Sequence, residues 1–132
     1  MTEEVKIGLK GEAHTVVSAK NTANQFAEGI AEVFATPMMI GLMEGAAAEA
    51  VAALLAEGQS TVGTLVNVKH LAATPLGQQV RAEAEVIEVE GKRIVFKVTA
   101  YDESEKIGEG IHERYIIDMG RFMERVQKKA QA

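Results

Sequence analysis

The chain contains no cysteine and no tryptophan, only two prolines among its 132 residues, and aromatic side chains at 5%. Without cysteine there is no disulfide framework, no thiolate-ligated zinc, no iron–sulfur cluster and no thiol nucleophile. The same absence fits a reducing, cytoplasmic compartment. Scarce aromatics leave no stacking platform for nucleic-acid bases. A net charge of −5 works against the phosphate neutralisation on which general DNA or RNA binding rests, so no nucleic-acid partner is expected. The apolar run from Met38 to Ala56 has about the length of a membrane span. It carries Glu44 and Glu49, which lipid would penalise, so it reads as a buried helix of a soluble protein with no membrane partner. The opening Met1-Thr2-Glu3-Glu4 lacks the basic-then-apolar design of a secretory leader. With no repeat or low-complexity run, residues 1–132 are expected to form a single domain.

Charge is distributed unevenly. Residues 1–57 hold eight acidic and three basic side chains, whereas residues 58–132 hold eleven of each. The acidic surplus therefore belongs to the first part, and the second supplies most of the cations.

Hydrophobic periodicity orders the elements. Val5, Ile7 and Leu9 alternate with polar or glycine positions, and Thr15-Val16-Val17 is β-prone, which predicts one or two short strands. Asn21 to Phe26 opens a short helix with Asn21 or Thr22 as cap. Thr36-Pro37 places a capping hydroxyl before a proline, the order of Ncap and N1. A long helix is expected from there to Glu57, with Gly58 as its C′ stop. It is apolar or small almost all round, so it should be buried on more than one side.

Four strands follow. Val62, Thr64, Val66, Val68 and His70 share one parity; Thr61, Gly63, Leu65, Asn67 and Lys69 share the other. Thr74-Pro75-Leu76-Gly77 is a turn. Val80, Ala82, Ala84 and Val86 form an inward face, and Glu90-Gly91-Lys92 a hairpin into Ile94, Phe96, Val98 and Ala100. After a polar turn at Asp102–Lys106 a last strand runs from about Ile107 to Ile117, before an amphipathic helix with Phe122 and Val126 inward. The fold class is therefore α+β: a central helix wrapped by an antiparallel sheet. One small sheet cannot cover such a helix, and a two-fold homodimer is the simplest remedy.

Three polar groups stand out in apolar settings. Glu44 is either a helix carboxylate paired with a cation or dimer mate, or a desolvated group with a raised pKa, suited to act as general base or nucleophile. Glu49 is about 140° away around the helix and cannot serve the same point; it reads as solvated or salt-bridged. Thr36 is either a routine N-cap or a hydroxyl beside free helix N–H groups that would stabilise an oxyanion. His70 is either a satisfied core histidine or a proton shuttle. His14 reads as strand-edge surface and Glu113 as an ion-pair partner. The three histidines lack HExxH spacing, so no metal site is expected. No GxSxG elbow, Walker loop or GxGxxG is present.

The segments Val33-Phe34-Ala35-Thr36-Pro37, Gly41-Leu42-Met43-Glu44, Gly63-Thr64, Val68-Lys69-His70-Leu71-Ala72-Ala73-Thr74-Pro75 and Ile107-Gly108-Glu109-Gly110-Ile111-His112-Glu113-Arg114 occur in this order. Together they resemble the fluoroacetyl-CoA thioesterase-like family of hot-dog-fold proteins, from about His14 to Lys129. The resemblance implies a hot-dog homodimer, or a higher oligomer, with acyl-CoA sites at the subunit interface. It also implies a hydrolase that needs no cofactor, since coenzyme A is part of its substrate. By it, Glu44 attacks the thioester carbonyl or activates water, Thr36 positions the acyl oxygen or nucleophile, and His70 moves protons. Gly63 would let a backbone N–H approach the carbonyl, and Arg114 would serve CoA or an internal pair with an acid. Lys69, Arg93, Lys97, Arg121, Arg125, Lys128 and Lys129 are candidate cations for the coenzyme's phosphates. Acyl preference does not transfer with the motifs. It depends on the pocket wall and on the segment before Phe34, where Ile30 is aliphatic, and such pockets discriminate by only about 1–3 kcal/mol. The competing reading is a non-catalytic acyl-CoA-binding or sensing dimer; a hydratase-type hot dog is disfavoured by the Thr–Glu–His set.

Overall fold

The computed structural model describes residues 4–26 and 30–131; Met1 to Glu3, read above for a leader, lie outside it. Strand β1 (Lys10–Val16) is followed by two short 3-10 turns, helix α1 (Thr36–Ala52), strands β2 (Gln59–His70), β3 (Gln79–Glu90), β4 (Arg93–Tyr101) and β5 (Lys106–Asp118), and helix α2 (Met119–Ala130). The strands form one antiparallel sheet in the order β1-β3-β4-β5-β2. Helix α1 packs on one face of this sheet, chiefly against β1 and β3.

The alternation in β3 and β4 behaves as the sequence implies. Val80, Ala82, Ala84, Val86, Ile94, Phe96, Val98 and Ala100 are all buried and meet Met39, Met43, Ala46, Ala47 and Val51 of α1 in one core. Small residues allow the helix to sit low. A Cβ on Gly11 would lie 2.3 Å from the Ala46 carbonyl oxygen and 2.6 Å from the Ala50 nitrogen, so the helix backbone rests directly on β1 there. Between β3 and β4 the two-residue turn begins at Gly91 with φ +60°, as a type II′ hairpin requires.

Several expectations are corrected. Of the one or two strands expected before the helix, one forms at Lys10–Val16, and residues 4–9, with Val5, Ile7 and Leu9, lie outside it. The short helix expected in Asn21–Phe26 is a single 3-10 turn, Ala23–Gln25, with Thr22 at its N-cap position but no side-chain cap bond, and Ser18 caps a further turn before it at Ala19–Asn21. Helix α1 stops at Ala52, short of Gly58, because Ala53 caps it and the chain turns before β2. Within the single chain it is covered on one side, as expected if one sheet cannot enclose it: Met38, Gly41, Gly45 and Glu49 are exposed. In α2 no residue is buried; Val126 is 42% exposed and Met119 and Met123 similarly so. Among the described residues no helix is long and apolar enough to cross a membrane.

The most consequential correction lies in β2. Pairing with β5 slips by one residue between Gly63 and Leu65, leaving Thr64 as a bulge. A bulge inverts the parity of everything beyond it. Thr61 and Gly63 therefore share the helix-facing side with Val66, Val68 and His70, while Val62 faces away. Glu113 holds the bulge: the Thr64 hydroxyl donates to its carboxylate at 2.6 Å, and Arg93 binds the same carboxylate and that of Glu88.

Candidate active site

Thr36 is the first residue of α1, not its cap. Ala35 occupies the Ncap position and makes no side-chain cap. The Thr36 hydroxyl turns instead to the end of β2, where its Oγ1 lies 2.7 Å from His70 Nδ1. The helix start also offers fewer free donors than the sequence implied. Pro37 has no N–H, and the Met38 and Met39 amides both donate to the Ala35 carbonyl.

His70 is the residue at which this end of the molecule is incomplete. Its Nε2 is buried and has no hydrogen-bond partner. Burial depresses its pKa, partly offset by the Ala72 backbone, so the ring is held neutral near pH 7. With Thr36 on one nitrogen, the other is enclosed without a partner. A cleft of about 360 Å³ adjoins the pair, lined by Val33, Phe34, Leu71, Ala72 and Ala73 among others. Apart from Thr36 and His70 its lining side chains are apolar, and among the described residues His70 is the only ionisable one that lines it.

Glu44 lies elsewhere. Eight residues beyond Thr36, it is about 12 Å further along the helix axis. Its Oε2 accepts from Arg114 Nη1 at 3.3 Å and lies 4.0 Å from His112 Nε2. The side chain is 40% exposed, so the desolvation expected of it is absent within the single chain. Gly63 is what admits this group to the strand: a Cβ there would meet Glu44 Oε2 at 2.6 Å and His112 Cε1 at 3.2 Å. The bulge at Thr64 is what turns Gly63 toward it.

Arg114 is enclosed by the protein. Its Nε donates to Thr61 Oγ1 at 2.8 Å, its Nη2 to the Thr61 carbonyl at 2.9 Å, and its Nη1 reaches both Glu44 and His112 Nε2, the latter at 3.2 Å. Of its two sequence readings, the internal pair with an acid is the one seen. Burial depresses its pKa, and the Glu44 charge and hydrogen bond oppose this; a guanidinium stays charged regardless.

His112 was not singled out in the sequence, yet it is 1% exposed and central to this cluster. Its Nδ1 lies 2.8 Å from the Leu65 carbonyl, which only accepts, so Nδ1 carries the proton and Nε2 accepts from Arg114. Burial lowers its pKa, with the Leu65 carbonyl raising it and Arg114 lowering it further. The alternation that puts His112 and Arg114 on one face of β5 was visible in the sequence; the Leu65 carbonyl that fixes the tautomer was not, because it is reached across the bulge.

Two clusters thus stand on one helix: Thr36 with His70, and Glu44 with Arg114, His112 and Gly63. The family model for fluoroacetyl-CoA-specific thioesterases matches residues 17–120. The chain belongs to this family. A fluoroacetyl-CoA thioesterase of Streptantibioticus cattleyicolor is 44% identical over 108 residues, 82% of this chain and 77% of that one. The solved structure of the fluoroacetyl-CoA thioesterase FlK superposes with a TM-score of 0.90 at 38% identity, covering 96% of this chain and 98% of its own. A hot-dog-like protein from Thermanaerovibrio acidaminovorans superposes at 0.85 with 27% identity, covering 93% and 91%. The fold is the hot dog, and all five segments quoted above for the resemblance lie within this family match.

Other members of the predicted set are dispersed. Lys69 and Lys97 line a shallow depression on the sheet face away from α1, with Glu109 beside them. Arg93 is committed to Glu88 and Glu113. Arg121 and Arg125 border a small hollow next to Asp118, and Lys128 and Lys129 are exposed at the end of α2. His14 is exposed on edge strand β1 with Glu12 at 3.2 Å, and Glu49 accepts from the Glu12 amide at 3.1 Å. Ile30 is 46% exposed.

Proposed function

We propose that the protein, a thioester hydrolase by its family, releases a small or short-chain acid from its coenzyme A thioester through Thr36, Glu44 and His70. The observation that carries this reading is the buried, unpartnered His70 Nε2 beside an apolar cleft, with Thr36 bonded to the other ring nitrogen. A buried polar atom without a partner is costly in a finished core and is relieved when a substrate supplies one.

In the general-base route, Glu44 takes a proton from water as the water oxygen bonds to the thioester carbonyl carbon. The tetrahedral oxyanion then collapses, the C–S bond breaks, and the thiolate leaves with a proton delivered through His70. In the nucleophilic route the Glu44 carboxylate bonds to that carbon itself, expelling CoA and leaving a mixed anhydride that water splits. Arg114 occupies Oε2 in either case and leaves Oε1 to react. Thr36 orients the acyl oxygen, and the Gly63 backbone is the donor for the oxyanion.

Thr36 and Glu44 are too far apart along α1 to meet on one acyl group unaided. We therefore place the working site at a two-fold homodimer interface, the Glu44 cluster of one subunit facing the Thr36–His70 pair of the other. The open face of α1 and the exposed Leu65, Val66 and Leu71 support this surface as the one covered. The coenzyme's phosphates would then meet cations from residues 58–132.

The deciding experiment measures thiol release across acyl-CoAs from acetyl upward, with binding followed in parallel. Turnover that disappears in Glu44→Ala and His70→Ala with dimerisation retained is the expected result. Saturable binding without turnover on any thioester would instead make this a sensing module.

A further inference from the structure

We propose that Thr74 and Asp102 form a latch that sets the width of the acyl cleft and so decides acyl-chain length; the inference rests on the hydrolase reading above. The Thr74 hydroxyl is bonded to Asp102, not to Thr36 or His70. Thr74 is fully buried, at 0% exposure, and its hydroxyl donates to Asp102 Oδ2 at 2.9 Å.

Asp102 is a rigid anchor. Its other oxygen, Oδ1, accepts from the Ser104 and Glu105 amides at 2.8 and 2.9 Å, and its own amide donates to the Glu105 carbonyl at 3.0 Å. The polar turn between β4 and β5 is therefore wound around this one carboxylate.

What the latch holds is a wall of the cleft. Residues 71–73 form one wall segment of its lining, and Val33 and Phe34 a second. The first wall is pinned at its start by the Leu71 amide on the Ile107 carbonyl (2.7 Å) and at its end by Thr74 on Asp102. The two walls are then tied together by the Phe34 amide on the Thr74 carbonyl (2.9 Å) and by the Val33–Pro75 bridge. Releasing Thr74 frees one end of the first wall and slackens the second. His70, one residue before the first wall, stays in β2, so the cleft widens without disassembling the Thr36–His70 pair.

The test compares Thr74→Val, which keeps shape and loses the donor, with Thr74→Ser, which keeps the donor. Acetyl-CoA and hexanoyl-CoA are the probes. In Thr74→Val the ratio of kcat/KM for hexanoyl over acetyl should rise about fivefold or more, mainly through a higher KM for acetyl-CoA, and Phe34 amide exchange should quicken. Thr74→Ser should restore the wild-type ratio and exchange. Asp102→Ala, in the turn, should reproduce the Thr74→Val shift if that variant does not fold. An unchanged chain-length ratio in folded Thr74→Val or Asp102→Ala, or a Ser variant that behaves like Val, overturns the latch. A wild-type protein that hydrolyses no thioester fails the hydrolase reading instead; relative affinities for the two acyl-CoAs and the Phe34 exchange rate then still judge the latch.

Discussion

Thr36 Oγ1 and His70 Nδ1, 2.7 Å apart, join the first residue of α1 to the last residue of β2. The bond spends the hydroxyl on the imidazole, leaving the helix without a side-chain cap. Thr36→Val should therefore cost the hydrogen bond to His70, about 0.5–1.5 kcal/mol, and no helix cap, while kcat falls. His70→Ala should lower kcat about 10²–10⁴-fold, the usual range for a general acid or base. Thr36→Ser, which keeps the hydroxyl, should retain most activity. Steady-state kinetics beside thermal melts separate the two effects.

Arg114 gives a different signature. Replacing it with Met strands Thr61 and His112 without their donor and releases Glu44. A stability loss of about 1–3 kcal/mol is expected for the partners left unsatisfied, together with a fall in kcat. Glu44→Gln should be nearly neutral in urea unfolding, since the amide oxygen still accepts from Arg114, yet remove turnover. Equal stability losses in both variants would show that Glu44 is held for the fold alone.

Gly63→Ala isolates the same point from the strand side. The new Cβ falls 2.6 Å from Glu44 Oε2, the movable tip of a side chain. The carboxylate is expected to swing away at small cost in melting temperature, with a large loss of kcat/KM. A drop in melting temperature without that loss would place the reacting carboxylate elsewhere.

Subunit sharing can be read by mixing inactive variants. Glu44→Ala and His70→Ala chains, unfolded and refolded together, should regain about a quarter of wild-type activity, because half of randomly formed dimers carry one intact site of two. Recovery of none would put all three residues of a site in one subunit.

Acid sensitivity follows from the histidines. Burial depresses the pKa of both His70 and His112 in the folded chain, so as pH falls through about 6.5 the unfolded chain takes up protons first. Their contribution to stability is complete above that pH and is lost as pH falls through the folded values. Asp102 and Glu113, both lowered by the donors that hold them, add a second decline below the ordinary carboxylate range. Melting temperature against pH should show both stages. The acid limb of kcat/KM should lie below 6.5 if neutral His70 is the working form.

Much of this architecture is written in periodicity. The inward faces of β3 and β4 alternate Val, Ala, Ile and Phe, and the register slip of this pair, between Val86 and Glu88, falls beyond the last inward position of β3. Where the reading failed, a distant partner had overruled a local rule. Thr36 has the chemistry of a cap, but an imidazole from 34 residues away competes for its hydroxyl. The parity of β2 breaks at Thr64 because Glu113, itself held by Arg93, offers that hydroxyl a carboxylate. His112 stood in a quoted motif without a role of its own, because that role depends on a carbonyl in another strand. Thr36, Glu44 and His70 were legible as polar groups in apolar settings; their separation into two clusters was not, since spacing along a helix does not say which strand each residue meets.

Gly11 gives the helix a mechanical property. It lies under Ala46 and Ala50 with no side chain between the two backbones, and Thr36 projects about 15 Å beyond Ala46 along the axis. The seat is thus a fulcrum and the N-terminal half of the helix a lever arm. A methyl group at Gly11, 2.3 Å from the Ala46 carbonyl oxygen, would force the helix off this seat by about 1 Å, carrying Glu44 with it and displacing Thr36 at the far end of the arm. An edge strand remote from the cleft therefore sets the reach of the hydroxyl that meets His70.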